Sequence, residues 1–234
     1  IAGTASGRLE DALRDAAGLA QYRRSDSRSA HPTSQGVTLR GLGDDKHYLH
    51  DVITTDKRNP TVNANGRVYA SPEYSTDLLP ILDPTHNSQT SFRAPVRDER
   101  MPLSLGPGHA ASLTAMAPSA YWGEEAIWDT RVNNHNSMLD AKGRVWLAAS
   151  VRGRENPAFC KQGSDHPSAK AVPLNQSGRQ LTVYNPKTEE YKFVDTCFGT
   201  HHLNFAYDKD ETVWASGGGQ VVGEVVVSKL VRHG

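Results

Sequence analysis

No stretch of this chain stays apolar for anything near the roughly 20 residues a membrane-spanning helix needs. The longest apolar run near an end, Val221–Val227, is broken by Gly223 and Glu224, so a helical span is excluded and a soluble protein is expected. An excess of one charge is missing too: 26 Lys and Arg face 26 Asp and Glu. That balance argues against a general nucleic-acid binder, whose surface is net basic, and gives no electrostatic attachment to an acidic membrane. Cysteine is scarce. Cys160 and Cys197 are too few for a disulfide framework and lack the C-x-x-C spacing of a zinc site. Two readings stay open: one bridge between residues 37 apart, which points to an oxidising compartment, or two buried thiols. Ile1-Ala2-Gly3 shows no initiator Met, basic start or apolar core of a signal peptide; a removed leader or a fragment of a longer chain is expected. No G-x-S-x-G nucleophile elbow is present. Gly217-Gly218-Gly219 has no following Lys-Ser/Thr, which excludes a phosphate loop.

What is present is a repeat. Val62-Asn63-Ala64-Asn65-Gly66-Arg67-Val68-Tyr69, Leu139-Asp140-Ala141-Lys142-Gly143-Arg144-Val145-Trp146 and Tyr207-Asp208-Lys209-Asp210-Glu211-Thr212-Val213-Trp214 share one pattern. An apolar residue precedes Asn or Asp, a short polar turn follows, and a Val-aromatic strand resumes. The Asx stands six residues before the aromatic each time, as in a hairpin whose turn is held by the Asx side chain while Gly or a polar residue takes the awkward dihedral. A second hairpin follows the first two: residues 80–96 around Asp83-Pro84-Thr85, and residues 181–195 around Asn185-Pro186-Lys187-Thr188. Two hairpins in succession make the four-stranded blade of a β-propeller. The expected fold is all-β, with about three propeller blades over 37–234. The aromatics at 69, 146 and 214 lie further apart than blades of about 40–50 residues allow, so Pro/Gly/Ser-rich insertions are placed near 102–119 and 156–177. Three blades cannot close a ring of four to eight; the missing blades are expected from the rest of a longer chain or from a partner chain.

Residues 1–36 read differently. Leu9, Leu13, Ala16, Leu19 and Ala20 recur at helical spacing, which predicts a short helix over 7–24 and a polar linker over 25–36.

Histidine carries the candidate chemistry. His135 lies five residues before Asp140, and His202, with His201 beside it, six before Asp208. These are equivalent positions opening the innermost strand of successive blades, so their side chains are expected at one mouth of a central channel. Convergent imidazoles suit acid–base catalysis near neutral pH or binding of a divalent transition metal. The plainer role is a hydrogen bond to a backbone carbonyl that holds the channel strands. His47, His50 and His109 are candidate additions, and Glu124, Glu125 and Asp129 candidate carboxylates. His86, His166 and His233 read as solvent-exposed, and Trp146 and Trp214 as core between blades. Tyr121 and Trp122 either line a pocket or pack; Lys57 and Arg58 either meet an anion or pair within a loop.

The run from Asn134 to Trp146, a His before a D-x-x-G-x-apolar-Trp turn, resembles the blade signature of streptogramin B lyase (virginiamycin B lyase-like) propellers. The Tyr184–Thr188 hairpin fits the same pattern. Residues 50–60 and 156–160 are similar to segments of large exported bacterial proteins that carry such a propeller. The likeness covers roughly 45–228. It implies a periplasmic or secreted location, a catalytic His with a Mg²⁺ near the propeller's centre, and elimination on an ester-linked ring; Zn and Cu stand beside Mg as candidate metals because convergent imidazoles suit them. His135 and His202 match the family's His-before-turn position and become the expected catalytic residues; His135, His201 and His202 become the expected metal ligands. The chain departs from the family in lacking its acidic metal motif and in the size of its insertions. The competing expectation is a non-catalytic binding or scaffold module for a small molecule or protein ligand; a third is a histidine-ligated copper redox protein.

Overall fold

The structure is a computed structural model, describing residues 19–23, 35–39, 51–53, 55, 61–104, 129–217 and 222–225. Strands β1 (Leu19–Arg23) and β2 (Gln35–Leu39) form a two-stranded antiparallel sheet. This corrects the end of the helix expected over 7–24. Leu and Ala at 19 and 20 satisfy a helical stripe as well as a strand, and cross-strand pairing decides between them. Residues 7–18 and most of the expected linker lie outside the described residues.

The rest is built from antiparallel meanders. The first sheet orders β3 (Asp51–Ile53), β4 (Val68–Ser71), β5 (Leu78–Asp83) and β6 (Ser88–Arg93) in sequence. The second orders β7 (His135–Leu139), β8 (Val145–Ala149), β9 (Gln180–Asn185) and β10 (Glu190–Val194) likewise. The third holds β11 (His202–Phe205), β12 (Val213–Ser216) and β13 (Val222–Val225). The fold is all-β, and the three stacked sheets do not close on themselves.

Each expected turn forms around its Asx. Asp140 Oδ1 accepts from the amides of Lys142 and Arg144, at 3.0 and 2.9 Å. Its Oδ2 accepts from Trp146 Nε1 at 3.0 Å and Arg144 Nε at 2.6 Å. Asp208 accepts from the Thr212 amide at 3.0 Å. Asn63 instead donates, from Nδ2 to the Arg67 carbonyl at 2.9 Å. The left-handed residue of the turn is Gly143 in the second repeat and Glu211 in the third, at φ 78° and 54°. In the first it is Asn63 itself, at φ 53°. The second hairpins turn on Asp83, which accepts from the Thr85 and His86 amides, and on Asn185, which accepts from the Lys187 amide.

The middle sheet is covered on both faces, which is why β8 reads Val-Trp-Leu-Ala-Ala with every residue buried. Alternation along the strand splits it. Val145, Leu147 and Ala149 join a core with Tyr69, Leu79 and Ile81 of the first sheet. Trp146, with Leu181 and Val183, packs on Leu203, Phe205, Val213 and Ala215 of the third. The outermost strand β6 is polar and largely exposed, and β10 alternates exposed Glu190 and Lys192 with half-buried Tyr191 and Phe193, as suits sheet edges. Trp214 corrects an expectation. Its strand buries Val213 and Ala215 against the middle sheet, and period-2 alternation turns Trp214 to the far face, where it is 44% exposed.

Cys160 and Cys197 form a disulfide. It pins the 156–177 insertion, which contains a 3-10 turn at Ala158–Cys160 and a short helix α1 (Pro167–Ala171), onto the segment leading to β11. Asn156 Nδ2 donates to the Leu174 and Cys197 carbonyls, both at 2.9 Å. Residues 105–119 of the other insertion lie outside the described residues. Among the described residues no helix is long and apolar enough to cross a membrane.

Candidate functional site

Strand register brings the histidines together. In the three sheets the residue two beyond the repeat aromatic pairs across to the innermost strand: Ser71 with Asp51, Ala148 with His135, Ser216 with His202. His135 and His202 therefore hold equivalent positions, as their spacing before the turns predicts, and Asp51 holds the third. A bulge between His135 and Met138 interrupts the β7–β8 register, with Asn136 at φ 48°. Bulges re-aim side chains. Here the Asn136 side chain turns to accept from the Leu203 amide at 2.6 Å, which ties the start of β7 to the start of β11.

The three rings form one cluster. His135 and His201 stack with centroids 4.3 Å apart and planes 12° from parallel. His201 and His202 lie 4.1 Å apart, and His135 and His202 5.3 Å. One ligand nitrogen from each lies within 4.8 Å of the others. His135 is fully buried, His201 partly buried and His202 exposed, so the cluster opens to solvent on one side.

Two residues that sequence reasoning missed complete the site. Glu73, in the turn after β4, is buried beneath His135, with Oε2 3.3 Å from His135 Nδ1. Its other oxygen accepts from Arg179, the residue before β9. Arg179 also donates from Nε to the Asn133 carbonyl at 3.0 Å and lies over the Tyr74 ring. Its backbone carbonyl accepts from the Thr200 amide at 2.7 Å, beside His201. Segments of three sheets thus meet at one point: Glu73 just after β4, His135 of β7 and Arg179 just before β9, and His201 and His202 at the start of β11.

The electrostatics follow from that packing. Burial alone raises the Glu73 carboxyl, but the His135 contact and the Arg179 charge outweigh it and bring it down to about 2. Burial, then the neighbouring His135, His202 and Arg179, lower His201 to about 4 against the smaller pull of Glu73. His201 is therefore a neutral imidazole at physiological pH, the form that binds metal.

The donor set fits a transition metal. Three imidazole nitrogens suit zinc, copper or nickel, whereas magnesium takes oxygen ligands. A tetrahedral zinc, with Zn–N of about 2.0–2.1 Å, sets its ligand nitrogens about 3.3 Å apart. Ligation would require the nitrogens to approach one another and the near-parallel His135–His201 pair to tilt; of the three rings His202 is the exposed one and His135 is fully buried.

The remaining expected residues stand elsewhere. Asp129, raised by burial, lines a cleft of about 590 Å³ with Asp77, Arg93 and Arg131, and none of the histidines is in that lining. His86 is exposed and pairs with Asp83. His166, also exposed, accepts from the Ser168 amide to cap α1. His47, His50, Lys57, Arg58, His109, Tyr121, Trp122, Glu124, Glu125 and His233 lie outside the described residues. Comparison of the chain with protein-family models, with curated proteins and with solved structures gave no match. The lyase resemblance therefore stands on the residues that carry it.

Proposed function

We propose that the protein is a propeller-type scaffold whose His135, His201 and His202 hold a zinc or copper ion at the mouth of its inner strands, in a lyase-like enzyme of the exported class. The observation that carries this is the convergence of three imidazole donors, from two sheets, within 4.8 Å. The disulfide accords with an oxidising compartment. The stacking of the sheets, inner strand beside inner strand, accords with blades that further sheets would complete into a ring.

In this reading the ion, when bound, supplies a Lewis acid for an ester carbonyl. Buried His135 and half-buried His201 would serve as its inner holders. Exposed His202 would be the ring that meets substrate and takes the proton from the carbon next to the ester-bearing carbon. That C–H pair becomes the new C=C bond and the C–O pair leaves with the carboxylate, so the ring opens without gain of water. The near-parallel His135–His201 stack favours a second reading, in which the cluster is a neutral structural stack and the pinned 156–177 insertion a recognition surface of a non-catalytic module.

Elemental analysis of the purified, undialysed protein, repeated on a His135→Ala/His202→Ala double variant, decides between them. Stoichiometric zinc or copper in the native protein and none in the variant is the expected result; a macrocyclic ester is then assayed for ring opening at unchanged mass. No metal in either sample overturns the metal-assisted reading and leaves the binding module.

A further inference from the structure

We infer that Glu73 is a positioning residue for His135: held by Arg179, its carboxylate keeps the proton of His135 on Nδ1 and so commits Nε2, as a lone pair, to the cluster. The carboxylate, clamped on its other oxygen by a guanidinium, has only acceptor capacity to offer. At 3.3 Å the pair is an ion-pair contact rather than an aligned hydrogen bond, and a hydrogen on Nδ1 is what makes it attractive. In a singly protonated ring the opposite nitrogen then keeps the lone pair. Ligating histidines are commonly oriented in this way by a carboxylate on the far nitrogen.

The burial makes this more than a surface ion pair. Glu73 is 4% exposed and His135 0%, so water does not compete for either ring nitrogen. Arg179 is itself fixed by the Asn133 carbonyl, two residues before His135, so the clamp and the ring it orients share one segment. Glu73 arrives from another sheet. The first sheet, which gives no ligand to the histidine cluster, thereby sets the direction in which the middle sheet's ligand points. A structural salt bridge needs only the Glu73–Arg179 contact; the Glu73–His135 contact is what a positioning role adds.

The zinc-affinity arm of the test rests on the metal reading; the tautomer arm does not. Long-range proton–nitrogen correlation spectra of the chelator-treated wild-type protein are expected to show His135 as the Nδ1–H tautomer. Glu73→Gln, whose amide offers Nδ1 both a donor and an acceptor, is expected to mix in the other form. It should also weaken zinc binding, measured by chelator competition, by about 10- to 100-fold, with partial recovery in Glu73→Asp. An Nε2–H tautomer in the wild type overturns the inference, and so does a Glu73→Gln protein that melts lower yet keeps both its tautomer and its zinc affinity. If the wild type takes up no zinc, the metal reading fails and the tautomer alone decides. If Glu73→Gln does not fold, the wild-type spectrum still does.

Discussion

Asp140→Asn is a near-isosteric change that separates the two jobs of one side chain. Oδ1 accepts from the Lys142 and Arg144 amides, and an Asn oxygen there keeps both bonds. Oδ2 accepts from Trp146 Nε1 and Arg144 Nε; an NH₂ in its place would face two donors. Trp146 is 1% exposed, so its indole N–H is left buried without an acceptor, at about 1–3 kcal/mol. Arg144 is partly exposed and recovers part of its loss from water, leaving about 1 kcal/mol. The sum is about 3 kcal/mol, a large share of the roughly 5–15 kcal/mol that holds a domain together. Asp208→Asn is the control, because Trp214 is exposed and the Oδ1 contact to the Thr212 amide survives; it should cost under about 0.5 kcal/mol. Urea unfolding followed by tryptophan fluorescence, with the disulfide intact, measures both. Equal midpoints for the two variants would refute the claim that the Asx turn acts through the buried indole.

Replacing both Cys160 and Cys197 by Ser removes a cross-link that spans 37 residues; chain entropy puts the loss at no more than about 4 kcal/mol. Melting about 10 °C lower is expected, and an unchanged melting temperature would show that the Asn156 hydrogen bonds hold the insertion without the cross-link. Acidification should destabilise the metal-free protein through His201, whose value falls from 6.5 in the unfolded chain to about 4 in the folded one. On going from pH 7 towards 4 the unfolded chain takes the proton first, so stability is lost across that window and is full above 6.5. The ceiling is about 3 kcal/mol, and partial exposure of the ring reduces it to about 1–2 kcal/mol. A His201→Asn protein should lose less between pH 7 and 4; superimposable profiles of chelator-treated wild type and variant would contradict the burial of this ring.

The hairpins were legible because their cause is local: an Asx oxygen reaches amides two and four residues on, and that distance is written in the chain. The position of His135 and His202 at the starts of inner strands follows from the same local counting. Other features depend on what is placed opposite. Trp146 and Trp214 are identical in pattern, yet only one meets a neighbouring sheet among the described residues. Leu19 and Ala20 suit a helix until β2 pairs with them. Whether two cysteines bridge depends on an insertion folding back, which spacing does not report. Glu73 was invisible for the plainest reason: its partner Arg179 is 106 residues away, and a lone Glu after a strand reads as solvated.

That contrast explains how the site is divided. The turns that set each sheet lie at one end of the inner strands and the histidines at the other, about 16 Å apart for a five-residue strand. What joins the ends is register, since the residue two beyond the aromatic always meets the first residue of the inner strand. A repeat fold therefore delivers one residue per sheet to the same end whatever that residue is, and the register places Asp51, His135 and His202 there. Register alone yields only proximity. The aim of His135 needs three non-repeating additions: the bulge at Asn136, the Asn136 bond to β11, and the buried carboxylate of Glu73 held by Arg179. Chemistry enters this fold where the repeat is broken.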